Sequence, residues 1–575
     1  MKNKIFLKLF AIVVISLFLS TTTNAQEDRT FDFNHDRSGV RIVEQTRGNV
    51  KMQFSLDKMS ISSFDYRGEQ MQSISISEFY IPNEKGLPNV PSISRLIAVP
   101  QGAEAVLHIT SYEQQIIKDV NIEPSLGVQA EDAEPIMEYV KDEKTYSDNA
   151  FYPGQFATVS GTTQLRGVNT AAVVFNPVRF NPVTKEVIVY HNIEVEVEFV
   201  GGNGEFGDNR LRSPYFDPIL QQNLMNYSSL PVIDYEKRMQ EWIRDDADGA
   251  EYVIVIPNDE SFEEPAHRLR DYRMKQGIIT QVVRLDQMPA TTTDQMKSWF
   301  HNAYNNWDIA PVAVLLFGDH NTNMTKGIPA ETTSHPSSNV CITDNQYADA
   351  EGNDLLPDMV FSRLVAANGT EAAMMADKQI EYEFTNPNMD PEAYNKPVTA
   401  LGWQTERWFQ ICSEVVGGYF RQNGKEPIRV NCIYQGTPGS TWSTAQNTSS
   451  VTSYFGPQGM GYIPQSPAEL GGFTGGTPEQ IVQAINTGTM VVQHRDHGFE
   501  DGWGEPAFTT NHVNQLTNTG KMPFVFSINC LTGKFNNSTP CFAEVFLRRT
   551  YNGQNAGAVG LLCPTEISYS FVNDT

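Results

Sequence analysis

The chain has 575 residues, 40% of them hydrophobic and 19% charged, which is too long for one core and excludes a largely disordered polypeptide. Lys and Arg number 42 against 68 Asp and Glu, a net charge of -26 that repels phosphate backbones and anionic bilayers and argues against nucleic acid as a partner. Six cysteines, all between Cys341 and Cys563 and without a CxxC pair, exclude a disulfide-built scaffold and a zinc ribbon.

The chain opens with Met1-Lys2-Asn3-Lys4, an apolar run Phe10 to Leu19 and Thr23-Asn24-Ala25. These are the basic, apolar and small-residue regions of a signal peptide (1–25) removed near Ala25. The apolar run is shorter than the ~20 residues a membrane span needs, and no later segment is apolar enough to cross a bilayer. Residues 26–225 read as β-rich. A Pro-containing turn, Phe180 to Glu186, leads into Val187-Ile188-Val189-Tyr190 and the alternation Ile193-Glu194-Val195-Glu196-Val197-Glu198-Phe199, which puts apolar side chains on one face of a strand in an antiparallel sandwich or barrel. No chemistry is visible there. Its place between an export signal and a chemistry-bearing module marks a prodomain, with a substrate-adhesion domain as the alternative. Residues 226–249 form a polar linker, with Asp234-Tyr235-Glu236-Lys237-Arg238 and Arg244-Asp245-Asp246. Exposed connectors are where proteolysis concentrates, so an activating cut after Arg238 or Arg244 is expected, against the alternative of an uncut solvated linker.

From residue 250 to 575 the period changes. Apolar strands, Tyr252 to Ile256, Ile279 to Val283, Val312 to Phe317 and Phe524 to Phe526, alternate with helical stretches, Glu263 to Lys275, Thr293 to Tyr304 and Thr370 to Phe384. That alternation predicts an α/β module with a parallel sheet covered on both faces, and in such sheets a site forms at the carboxyl ends of the strands. Two runs end in reactive side chains there: Thr489 to Gln493 leads to His497-Gly498, and Phe524 to Asn529 leads to Cys530. An imidazole and a thiol on two strand ends are what a cysteine nucleophile and its base require. On residue type alone, a cysteine at a strand end is a small buried hydrophobe. Cys530 is expected to stay out of any disulfide. His494 and Glu500 flank His497 three positions away on either side, but zinc takes three or four protein ligands and no further His or Cys lies at useful spacing.

The blocks His497-Gly498-Phe499-Glu500-Asp501-Gly502-Trp503, Phe508-Thr509-Thr510, Leu516-Thr517-Asn518, Asn529-Cys530-Leu531-Thr532-Gly533-Lys534-Phe535 and Pro540 to Val545 resemble the catalytic core of the gingipains, secreted bacterial cysteine endopeptidases of caspase-like fold. The resemblance runs from about residue 250 to the last. It implies a zymogen with a β-rich propeptide, and Gly86-Leu87-Pro88-Asn89-Val90-Pro91 resembles a motif of such propeptides. It also implies a chain that continues past Thr575, a protein exported to the medium or cell surface of a bacterium, and protein or peptide substrates with the protein's own prodomain as inhibitor.

The roles implied are Cys530 as nucleophile, His497 as general acid/base, and the backbone N–H groups of Gly498 and Cys530 as oxyanion hole. For Gly498 an ordinary turn glycine is the plainer reading. Asp344, in Thr343-Asp344-Asn345-Gln346-Tyr347, matches the segment supplying the acid that orients the imidazole, or caps a turn. Asp354 matches the position that receives a basic P1 side chain. Trp503 would form a wall of that pocket or pack in the core. No cofactor is expected for catalysis, while the carboxylates and amides from Asp344 to Asp358 suit a structural calcium ion or a merely solvated loop. One departure stands out: where the family carries a small residue before the histidine, this chain has Arg495-Asp496. Two further readings keep the same residues, a catalytically silent adhesion or assembly module and a surface transpeptidase that passes the acyl group to an amine.

Overall fold

A 16-residue strand, Glu186–Gly201, organises the amino-terminal half. Ile193, Val195 and Val197 are buried while Glu194 and Glu198 face solvent, the alternation that the sequence carries. The strand pairs antiparallel with Asn49–Ser55, Ala103–Ile117 and Val178–Asn181. A second antiparallel group is built on Val168–Phe175 between Ile93–Ala98 and Thr163–Leu165, and a third joins Arg29–Asp32, Lys58–Tyr66 and Glu69–Ser75. One apolar cluster unites them, with Phe54 stacked on Phe175 at 5.5 Å. The computed structural model describes residues 28–79, 84–352, 354–384 and 391–571; the export segment at 1–25 lies outside them. Among the described residues no helix is long and apolar enough to cross a membrane.

The stretch read as a plain linker is helical over Tyr235–Asp245, capped by Asp234, whose side chain accepts the Lys237 N–H, and ended by Asp246 in the left-handed region at φ 52°. An Asp N-cap answers an otherwise unpaired helix donor, which is why a polar run folds here. Arg238 is half-buried and donates to the Arg212 carbonyl at 3.0 Å. Arg244 is exposed at the helix end.

Beyond residue 250 lie two parallel sheets rather than one. The first has the order Thr280–Arg284, Tyr252–Ile256, Ala313–Phe317, Val360–Leu364. Its residues alternate between two cores: Val253, Val255, Val314 and Leu316 pack against Met296, Phe300 and Tyr304, while Ile254, Ile256, Leu315 and Phe317 pack against Leu269, Ala372 and Met375. Both faces are covered, as continuous apolar strands require. The second sheet has the order Ile428–Gln435, Val398–Gln404, Val491–Arg495, Phe524–Ile528, Gly560–Leu562. Its faces are likewise divided, Ala400, Val492 and Val525 toward Ile481 and Phe542, Leu401 and Trp403 toward Trp408 and Ile411.

Candidate active site

Three neighbouring strands of the second sheet end at one place. Arg495 is in register with Leu401 on one side and Ile528 on the other, so Gln404, His497 and Cys530, each a few residues on, emerge together at the carboxyl edge. They line a cavity of about 260 Å³ with Gly498 and Tyr434. His497 Nε2 lies 2.9 Å from Gln404 Oε1, and its ring sits 4.3 Å from that of Tyr434. Beneath them Asn529 fixes the turn that carries the thiol: its Oδ1 accepts from the Thr532 hydroxyl at 2.8 Å, and its Nδ2 lies 3.0 Å from His494 Nδ1. Gly498 has to be glycine, because a Cβ there would come within 2.6 Å of the Cys530 carbonyl oxygen.

The amino-terminal half of the same chain supplies part of the cavity wall, through Glu131 to Glu134. Gln129–Ala130 forms an antiparallel pair with Tyr569–Ser570, and the Glu131 N–H donates to the Ser568 carbonyl at 3.0 Å. Glu131 itself is fully buried. Its Oε1 accepts from Arg495 Nη2 at 2.6 Å and from the Ser570 hydroxyl at 3.2 Å, and its Oε2 accepts from the Cys530 thiol at 3.7 Å. The Glu131 backbone lies beside the imidazole of His497. Arg407 clasps the same segment, donating to the carbonyls of Ala130 at 3.0 Å and Ala133 at 2.6 Å and to the Ser570 hydroxyl at 2.7 Å.

These surroundings set the protonation of the pair. Burial, then the Glu131 carboxylate, push the Cys530 thiol up to about 12, against the opposing pull of the Ser568 N–H and Arg495. Burial, then the Arg407 guanidinium, bring the His497 imidazole down to about 4. With the segment in place the couple is a neutral thiol and a neutral imidazole, which is unreactive. Asp496 is buried behind it, accepting the Glu505 N–H at 2.6 Å, and burial holds its carboxyl well above the usual range.

Not every residue singled out in the sequence comes to this place. Asp344 is committed elsewhere: both its oxygens face the Arg363 fork, at 2.9 and 2.8 Å, so the contact to the imidazole is made by Gln404 instead. Asp354 accepts the backbone N–H groups of Gln164 and Leu356 at 2.8 and 3.0 Å and is not among the residues lining the Cys530 cavity. Trp503 is core, stacked on His494 at 4.2 Å with its Nε1 donating to Ser527 Oγ. His494 is equally buried, held between Glu505, Asn529 and that indole. Carboxylates of the segment from Asp344 to Asp358 are engaged within the chain. Asp358 accepts three backbone N–H groups, those of Arg166, Ala350 and Glu351, Asp344 is ion-paired, and no group of three or more His, Cys, Asp or Glu suited to a metal occurs among the described residues. Arg495, Arg407, Gln404 and Glu131 were missed by the sequence reading, although Arg495 stood in plain view as the departure before His497.

Comparison with known proteins follows the same division of the chain. The model of peptidase family C25 matches residues 245–575, and that of Propeptide_C25 matches residues 31–231. Gingipain R2 of Porphyromonas gingivalis is 26% identical over 535 residues, which cover 92% of this chain and 64% of the relative. Lys-gingipain of the same organism is 25% identical over 519 residues, 88% of this chain and 26% of the relative. The chain thus spans less than two thirds of the length of these relatives. Among solved structures, the Arg specific cysteine proteinase gingipain R is 23% identical with a TM-score of 0.44, covering 57% of this chain and 65% of that one. A complex of Porphyromonas gingivalis RgpB pro- and mature domains is 30% identical with a TM-score of 0.30, over 33% of this chain and 97% of that one.

Proposed function

The chain belongs to peptidase family C25, and on that premise we propose that it is the zymogen of a cysteine endopeptidase in which Cys530 is the nucleophile and His497 the general acid/base. The observation that carries this reading is the meeting of thiol and imidazole in one cavity at adjacent strand ends. In the reaction, His497 takes the Cys530 thiol proton as the sulfur adds to the scissile carbonyl carbon, and gives that proton to the leaving amine as the C–N bond breaks. Water then cleaves the thioester, passing a proton to His497 and releasing the acid and the free thiol. Gly498, with no side chain, lets its N–H approach the developing oxyanion together with that of Cys530. Gln404 positions the imidazole.

The amino-terminal half acts in this reading as an inhibitor that enters the cleft as a strand. Support comes from the Gln129–Ala130 pairing with Tyr569–Ser570 and from the turn at Glu131 and Asp132 that follows it beside Cys530. Activation is a cut in the segment 232–244, which neither family model matches, with the exposed Arg244 better placed than Arg238. Export by the leader at 1–25 belongs to the same reading. The names of the relatives include an Arg specific proteinase and a Lys-gingipain, but with Asp354 turned to Gln164 a basic P1 preference has no support from that carboxylate.

The test is hydrolysis of mixed peptide substrates by the chain cleaved in that segment, with and without Cys530→Ala. The substitution should lower the rate by about 10⁴-fold or more. Hydrolysis that survives in the variant would remove Cys530 from the reaction. Products transferred to an added amine in place of water would reassign the chain as a transpeptidase.

A further inference from the structure

The side chain seated against the candidate nucleophile is a carboxylate, and the groups that receive it are two buried guanidiniums. Arg495 is 1% and Arg407 0% exposed. Arg495 holds Glu131 by a 2.6 Å ion pair, its guanidinium 4.2 Å from the centre of the Phe409 ring. Arg407 lies 5.8 Å from the centre of the same ring and reaches Ser570, whose hydroxyl also donates to Glu131. Both guanidiniums and the Ser570 hydroxyl belong to the peptidase half, so the groups gathered around the Glu131 carboxylate stay behind when the prodomain leaves.

The Glu131 backbone is also held as that of a strand entering the cleft: it follows two residues paired as an antiparallel strand, and its N–H is bonded to the Ser568 carbonyl. Strand addition of this kind supplies register, and the pocket then selects the side chain. We propose that the P1 pocket of this peptidase is basic, built on Arg495 with Arg407 and Ser570, and that the enzyme cleaves after acidic residues, glutamate before aspartate for reach. The inference rests on the cysteine-peptidase reading and adds the substrate class to it. A lysine or arginine at P1 would stand beside two guanidiniums, a like-charge juxtaposition that a specific site uses for rejection. Arg495 belongs to the Arg495-Asp496 pair at which this chain departs from the resembled family before the histidine.

Two readouts test it, one of them independent of catalysis. In the chain cleaved between 232 and 244, peptides identical except at P1 should be hydrolysed about 10- to 100-fold faster with Glu than with Gln, the range one charge-assisted hydrogen bond confers, and slowest with Arg or Lys. Arg495→Gln should erase the Glu-over-Gln preference, and Arg495→Lys, which keeps the charge if the glutamine variant fails to fold, should retain part of it. Cys530-dependent cleavage after Arg or Lys in preference to Glu would overturn the proposal and leave the peptidase intact. Absence of any Cys530-dependent hydrolysis would overturn the peptidase reading. The second readout, retention of the cut prodomain on size exclusion in a Cys530→Ala background, still decides the pocket: Glu131→Gln should release it more readily and Glu131→Arg more readily again. Tighter retention of the Glu131→Arg prodomain would show an acidic pocket and refute the inference.

Discussion

At the scale of single residues the latent state is a matter of charge placement. The Cys530 thiol is faced by Glu131, Arg495, His497 and the Ser568 N–H. Of these, only the carboxylate disfavours the thiolate, and it acts together with burial. A thiol raised to about 12 is ionised to roughly one part in 10⁴ at pH 8. Alkylation of Cys530 by iodoacetamide in the uncut chain should then climb about tenfold for each pH unit from 8 to 11, with no plateau. Removing the prodomain takes away both the carboxylate and much of the burial, so the profile should shift to lower pH and level off. Because Cys432 and Cys563 are also pushed up to about 12 by burial, the reading must come from the Cys530 peptide by mass spectrometry. A plateau near neutral pH in the uncut chain would mean that Glu131 does not suppress the thiolate. The same scale shows what sequence could and could not tell. His497, Gly498 and Cys530 were legible because strand-end position and residue type coincide. Glu131 was not, because the partner of a nucleophile 399 positions away leaves no local pattern. Asp344 misled because a loop carboxylate fits a triad or an ion pair equally well until its neighbour, Arg363, is known.

At the scale of elements, the connecting helix Tyr235–Asp245 decides where the chain can be opened. The strands and helices of the peptidase half were legible nearly to the residue, Glu263–Lys275 and Tyr252–Ile256 among them, since burial on two faces imposes an unbroken apolar run. The division into two sheets was not, because strand order depends on contacts between segments far apart. The helix was read as plain linker since its residues carry little apolar content, and its stability comes from the Asp234 cap and few tertiary contacts, with Val232 98% and Ile243 71% exposed. Helices held mainly by a cap open locally at low free-energy cost. Asp234→Ala should lose about 1 kcal/mol of that cap and raise the rate of limited trypsin cleavage at Arg244 several-fold, with the cut at Arg238 slower because its guanidinium is tied to the Arg212 carbonyl and Tyr235 ring. First cleavage at Arg238, or a rate unmoved by Asp234→Ala, would show that the helix does not guard the junction.

On the whole-molecule scale, the proposed latency depends on how firmly the two halves hold after that cut, and Glu131 is one of three ties singled out from a larger set that includes Gln164 to Asp354 and Arg210 to Tyr304. At a second, the propeptide motif Gly86 to Pro91 places a fully buried Asn89, whose Nδ2 donates to Glu123 at 3.1 Å and to Asn447 of the peptidase half at 2.7 Å. Nearby, Gln446 accepts the Leu126 N–H at 2.9 Å and donates to the Pro124 carbonyl at 3.0 Å. The third is Arg166, 1% exposed, which sends Nη1 to the carbonyls of Pro311 and Asp358 at 2.9 and 2.8 Å and its backbone N–H to the Asp358 carboxylate at 2.7 Å. Its guanidinium is also flanked by the Phe216 and Tyr304 rings at 5.2 and 5.6 Å. Hydrogen bonds from a charged donor contribute about 1.5–3 kcal/mol, so Arg166→Met, close in volume and unable to donate, should raise the dissociation constant of the cut prodomain by about 10- to 100-fold. Arg166 departs with the prodomain, so the released peptidase is chemically identical to the wild type and must show the same kcat/KM on every P1 series. That identity makes the experiment decisive between two roles for the amino-terminal half. Faster release with unchanged kcat/KM means a removable inhibitor held by distributed contacts. A fall in kcat/KM with no change in release would mean that these contacts instead shape the site that the peptidase half keeps.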